Sequence, residues 1–229
     1  MDKPNFDFEN NLKNQGLNLI AGIDEVGRGS WAGPVVASAV IFPIPKTKSI
    51  PLLDDSKKLT HKQRKQVLPK IKSLSLSYSL GIIDVEIIDK IGIGKANKLA
   101  FLRAIMGLKQ MPDYILLDYF KISTADLFLL YKLYPQYIQK RFYLEKLINN
   151  QQGIKFGDNI VASISAASII AKVYRDNLMI KLHKKHPLYN FKKNKGYPSL
   201  EHRNALKTYG PCLVHRKSFK PINQLQMGL

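Results

Sequence analysis

Three short apolar runs in this chain end on carboxylates: residues 17–25 (LNLIAGIDE), 114–118 (YILLD) and 153–158 (GIKFGD). Each reads as a short strand or extended segment running into a loop. In α/β sheets, ligand sites gather at strand ends near the point where the strand order reverses. Asp24, Glu25, Asp118 and Asp158 are therefore candidates for one shared site. Any single acid of this kind is better explained by a cap or a surface charge. Several at strand ends mean more in a chain with only 17 Asp+Glu against 36 Lys+Arg. Converging carboxylates repel unless something neutralises them. Oxygen-only donors select Mg²⁺ or Mn²⁺ over Zn²⁺. Two such ions about 4 Å apart suit in-line phosphoryl displacement. Neighbouring residues of a regular strand point to opposite faces. Asp24 and Glu25 can thus share a site only if the strand ends or bends there. Gly27 and Gly29 follow at once and permit the bend. Gly27-Arg28-Gly29 is either an ordinary glycine turn or a loop whose N–H groups approach a ligand while Arg28 reaches an anion.

The remaining pattern is α/β with a mixed sheet. Residues 33–42 and 74–85 read as further strands, the first close enough to 17–24 to pair with it directly. Thr60-His61-Lys62-Gln63 has capping-box spacing and starts a helix running toward Lys72. Apolar residues at helical spacing fill 86–108, and 123–149 is helix-like. Residues 160–186 form a long helix with a small-residue face, ended by Pro187. A last helix covers 200–209. Residues 1–16 read as a loose leader without the apolar core of a signal peptide. The expected division is leader 1–16, main α/β domain 17–186 with a helical insertion at about 120–150, and a basic helical extension 187–229. The single Cys212 excludes an internal disulfide and fits a reducing, cytoplasmic setting. No apolar run reaches the ~20 residues that span a bilayer.

The net charge of +19 calls for a polyanionic partner. From Lys181 onward there are eleven bases and one acid, Glu201, interleaved with Tyr189, Phe191, Tyr197, Tyr209 and Phe219. Rings among bases suit nucleic acid better than lipid. On charge alone, a solvated basic face is an equal explanation.

Five ordered blocks add to this reading. They are Gly22-Ile23-Asp24-Glu25-Val26-Gly27-Arg28-Gly29 with Ala32-Gly33-Pro34-Val35-Val36; Asp55-Ser56-Lys57-Lys58-Leu59; Ile88-Asp89-Lys90-Ile91-Gly92-Ile93; Gly157-Asp158 with Ser163 to Val173 and Arg175-Asp176; and Lys195-Gly196-Tyr197-Pro198-Ser199 with His202, then His215-Arg216-Lys217-Ser218-Phe219. Together they closely resemble ribonuclease HII, the prokaryotic type 2 ribonuclease H. The resemblance implies a ribonuclease H-like mixed sheet flanked by helices, with a C-terminal helical extension over the substrate groove. It implies an endoribonuclease acting on RNA–DNA hybrids and 5′ of single ribonucleotides in duplex DNA, leaving 5′-phosphate and 3′-hydroxyl ends. Asp24, Glu25, Asp118 and Asp158 would be the catalytic and metal-binding carboxylates for two divalent ions. Gly27, Arg28 and Gly29 would read the ribose 2′-OH, Tyr197 would stack near that sugar, and Lys57 would touch phosphate. The alternative is a weak or inactive hybrid-binding protein on the same fold.

Two departures from the family pattern stand out. Tyr119 follows Asp118 where the family usually has Gly, and the 40 positions from Asp118 to Asp158 exceed the usual spacing. Outside the motif acids, Asp176 reads as a structural ion-pair partner. His202 and His215 are candidates for proton shuttling or phosphate contact, or are structural. Trp31 reads as core or groove lining. Residues 224–229 (QLQMGL) faintly resemble sliding-clamp peptides. The expected molecule is a monomer with no membrane partner.

Overall fold

The computed structural model describes residues 3–43, 50, 53, 56 and 59–226. Its strands are β1 (Ile20–Val26), β2 (Val35–Ile41), β3 (Ser77–Ile83), β4 (Tyr114–Asp118) and β5 (Gln151–Ile154). They form one mixed sheet in the order β3-β2-β1-β4-β5. β2 runs antiparallel to both β1 and β3, whereas β1, β4 and β5 are mutually parallel. The C-terminal ends of β1, β4 and β5 therefore lie side by side. That edge of the sheet carries the acids.

The helices are α1 (Asp7–Asn14), α2 (His61–Leu74), α3 (Val85–Ile91), α4 (Ile93–Met106), α5 (Thr124–Leu133), α6 (Arg141–Asn149), α7 (Gly157–Ile160), α8 (Ala162–Lys185), α9 (Phe191–Asn194), α10 (Leu200–Tyr209) and α11 (Ile222–Gln226). The sheet is covered on both faces. Ala21, Ile23, Ile115 and Leu117 pack on one side with α4, α5 and α6. Ile20, Leu116 and Val40 pack on the other with α1, α2 and α8. The small residues of α8 serve this contact: a Cβ on Gly22 would sit on the backbone of Ser163. None of the helices among the described residues is long and apolar enough to cross a membrane.

The sequence pattern and the structure agree where local signals are strong. Thr60 caps α2 as expected, its Oγ1 accepting from Gln63 N–H at 3.3 Å while Gln63 Oε1 accepts from Thr60 N–H at 2.8 Å. They differ in three places. The segment 86–108 is two helices, because Gly92 at φ +80° ends α3 and opens α4. Residues 7–14 are a helix, not a loose leader. Phe6 and Leu12 are buried, and Glu9 Oε1 accepts from Ser163 N–H at 3.0 Å. Asp7 and Glu9 in its first turn and Lys13 in its last follow the helix dipole. Finally, β5 ends at Ile154, so Asp158 lies on the one-turn helix α7 rather than on a strand. Phe156 at φ +59° turns the chain between the two.

Candidate active site

The alternation along β1 decides how its two acids are used. Asp24 shares the face of Gly22 and points toward α8. It is buried, and its carboxylate is hydrogen-bonded by Ser168 of α8 and by Glu25 N–H at 2.7 Å. Asp118, at the end of the neighbouring β4, points to the same side. Its Oδ1 accepts from Gly157 N–H at 2.8 Å, which ties α7 to β4 and brings Asp158 in. Carboxylate oxygens of Asp24, Asp118 and Asp158 all lie within 4.8 Å of one another. Glu25 stands outside that triad but lines the same cavity. Its charge ranks next after burial in pushing the Asp24 pKa well above the usual carboxylate range, ahead of Asp118 and Asp158.

Three oxygen donors at this spacing, with a fourth acid beside them, fit a hard divalent cation. The raised pKa of Asp24 reports the same thing: the cluster holds more negative charge than burial tolerates unless a cation shares it.

The cavity, about 420 Å³, is lined as well by Gly27, Arg28, Gly29, Lys172 and Tyr197. Gly27 is required twice. Its φ is +88°, and a Cβ there would collide with the Arg175 side chain. Gly27 N–H donates to the Tyr197 hydroxyl at 3.2 Å. The N–H groups of Arg28 and Gly29 have no acceptor among the described residues, and a Cβ on Gly29 would meet no neighbouring atom. The Tyr197 ring is flanked by the Arg175 guanidinium at 5.5 Å and Lys172 Nζ at 6.0 Å.

Two residues quoted only as parts of motifs hold this loop. The Arg216 guanidinium donates to the carbonyls of Gly27 (2.7 Å), Arg28 (2.8 Å) and Gly33 (2.8 and 3.0 Å). Arg175 donates to Ser30 Oγ, Ala32 O, Pro34 O and Lys195 O at 2.7–3.0 Å. With these carbonyls held by the two arginines, the 27–34 loop is fixed in one shape beside the cavity. Each arginine lay inside a matched block, Arg175-Asp176 or His215-Arg216, and that was the available signal.

Other sequence candidates fall into place. Asp176 is the ion-pair partner expected of it, with Lys172 Nζ at 2.9 Å and Arg64 Nη2 at 3.7 Å. Ser168 Oγ bonds Ser56 Oγ at 2.8 Å, and both serines line the cavity. Lys57 and Lys58 lie outside the described residues. Trp31 is half-buried, under the Arg203 guanidinium at 5.8 Å and against His202. Tyr119 has φ +66°, the left-handed conformation that glycine adopts at no cost.

His202 and His215 are structural. Both are fully buried, Nε2 to Nε2 at 3.0 Å, with His202 Nδ1 on Tyr197 O and His215 Nδ1 accepting from Cys212 N–H. Only neutral rings satisfy this chain: His202 donates from Nδ1 and His215 donates from Nε2. Burial, then the neighbouring His202, pushes the His215 pKa down to about 4 from 6.5. Below pH 6.5 the unfolded chain binds a proton that the folded one refuses. Stability is therefore present above 6.5, falls toward pH 4, and levels below it. The loss is roughly 3 kcal/mol. Denaturant melts at pH 7 and pH 4.5 should show it in the wild type and largely lack it in His215→Asn.

Comparison with known proteins shows the family. A family model described as Ribonuclease HII matches residues 21–222. The ribonuclease HII of Endomicrobium trichonymphae is 41% identical over 96% of this chain and 94% of its own length. That of Chlamydia trachomatis serovar L2 is 44% identical over 97% and 92%. The ribonuclease H2 of Pyrococcus horikoshii shares the fold at TM-score 0.69 and 24% identity, covering 92% of this chain and 98% of that one. The Archaeoglobus fulgidus RNase HII solved with PCNA gives 0.64 at 22% identity, over 88% and 95%. Bst-RNase HIII in complex with Mn²⁺ gives 0.62 at 18%, over 92% and 70%. With a family model spanning the sheet, the acidic triad and the C-terminal helices, and relatives above 40% identity over nearly the whole chain, this protein belongs to the ribonuclease HII family.

Proposed function

We propose that this ribonuclease H hydrolyses the RNA strand of RNA–DNA hybrids and also cuts on the 5′ side of a single ribonucleotide embedded in duplex DNA. The products carry 5′-phosphate and 3′-hydroxyl ends. The observation that carries the reading is the cluster of the Asp24, Asp118 and Asp158 carboxylates, two of which, Asp24 and Asp118, line one cavity together with Gly27, Arg28 and Gly29.

Asp24, Glu25, Asp118 and Asp158 would hold Mg²⁺ or Mn²⁺ as two ions. Bound there, these ions would supply a nucleophile at neutral pH and stabilise charge on the leaving oxygen. The chain does the selecting. The Arg28 and Gly29 N–H groups reach the ribose 2′-OH, the atom that separates RNA from DNA. A site whose donors are left unpaired by a deoxyribose rejects it strongly. Tyr197, held by Gly27 N–H and flanked by Arg175, packs against the same sugar. Arg28, Lys172 and Lys57 would contact phosphates. The basic segment 187–229 would wall the groove, and residues 224–229 are assigned to a sliding clamp. We place the enzyme in the cytoplasm as a monomer, removing ribonucleotides from replicated DNA.

The test uses a DNA duplex with one ribonucleotide beside an all-DNA duplex, in Mg²⁺, Mn²⁺ or EDTA. One metal-dependent cut 5′ of the ribonucleotide is expected, with the control intact and no cut in EDTA. Firm binding with no cut in either metal would overturn the reading in favour of an inactive binder.

A further inference from the structure

We propose that Tyr119 and Phe156 form an aromatic stacking subsite for a base of the cleaved strand beside the scissile phosphate; the proposal rests on the function argued above. These two residues flank the acids at the sheet edge. Tyr119 directly follows Asp118, and Phe156 stands two residues before Asp158. The segments are tied together: Tyr119 N–H donates to Ile154 O at 2.9 Å, and Gly157 N–H to Asp118 Oδ1.

Both rings are left largely in water, Tyr119 at 66% exposure and Phe156 at 63%. Both also sit in left-handed backbone, at φ +66° and +59°. A bulky aromatic residue at positive φ is strained. Neither ring is buried in the fold to offset that strain. Strain of this kind persists at ligand sites.

Charge selects the occupant. Arg28, which lines the acidic cavity, lays its guanidinium over the Phe120 ring at 4.7 Å, and Phe120 meets Tyr119 edge to face. Lys155 Nζ lies 5.4 Å from the Phe156 ring centre. Arg28 and the half-buried Phe120 thus connect Tyr119 to the acidic cavity, and exposed rings with cations beside them match a nucleic acid strand, whose bases offer π faces and whose phosphates offer charge.

Glycine accepts φ +66° freely, so Tyr119→Gly removes the ring and the strain together. The same holds for Phe156→Gly. Each variant should melt at or above the wild-type temperature. On hybrid substrate in Mg²⁺, KM should rise about tenfold per ring with kcat little changed. Substrates with one abasic site at each position flanking the cut locate the partner. At one position the wild type should lose the same factor, and Tyr119→Gly should lose nothing further. A variant with wild-type KM on every substrate overturns the proposal while leaving the nuclease reading intact. A wild-type protein that cuts no hybrid removes both.

Discussion

Asp24→Asn is expected to lower the cleavage rate by at least about a thousandfold, roughly 4 kcal/mol of transition-state stabilisation, while hybrid affinity changes little. Asp24 is a buried acid of the triad, and one of its oxygens lies within 4.8 Å of oxygens of both Asp118 and Asp158. Asparagine keeps the shape and an acceptor for Glu25 N–H but offers one neutral oxygen where a cation needs a charged one. Affinity should survive because the proposed substrate contacts, the basic surface and the 27–29 loop, are untouched by the change. The same change should stabilise the metal-free protein. Burial and the charges of Glu25, Asp118 and Asp158 all work against an ionised Asp24. Removing that repulsion is worth about 1 kcal/mol or more, about 2–4 °C in a chain of this size. Wild type should in turn gain more from Mg²⁺ than the variant does. Single-turnover cleavage and melts with and without Mg²⁺ check both halves. Retained cleavage would refute the assignment of Asp24.

The acids were legible because an apolar run ending on Asp is a local signal, and the bounds of β4 and α10 follow from local patterns. Which of Asp24 and Glu25 joins the triad was not legible. That depends on which face of β1 meets α8, a fact settled by Gly22 receiving Ser163 across the sheet. Asp158 was read as a strand end because nothing in GIKFGD announces that Phe156 adopts positive φ. The helix α1 was hidden by its polarity: its burial hangs on Phe6, Glu9 and Leu12 meeting partners such as Phe42 and Ser163, far along the chain. The two loop-holding arginines show the same limit, since their bonds join residues 141 to 189 positions apart within the 27–34 loop contacts.

Arg216 is where that long-range order is most exposed to test. It is fully buried, and Gly27, Arg28 and Gly33 share its guanidinium. Burial, then the charge of Arg175, pushes its pKa down to about 9. Two like charges would not be kept together in an interior unless carbonyls offset them. Asp89 anchors the flanking turn, accepting from Lys217 N–H and Ser218 N–H at 2.9 Å. Arg216→Ala strands three carbonyls and opens a void, at a cost of about 3–5 kcal/mol. Arg216→Lys should recover only part of it, because an ammonium cannot reproduce a planar fork over three acceptors. With the carbonyls released, the 27–29 loop loses the shape on which the proposed 2′-OH readout depends. Cutting at a lone ribonucleotide, where one 2′-OH is all there is to read, should then fall further than cutting of a continuous hybrid. Denaturant midpoints and kcat/KM on the two substrates measure both effects. A lysine variant with wild-type stability and an unchanged substrate ratio would show that the loop keeps its geometry without the fork.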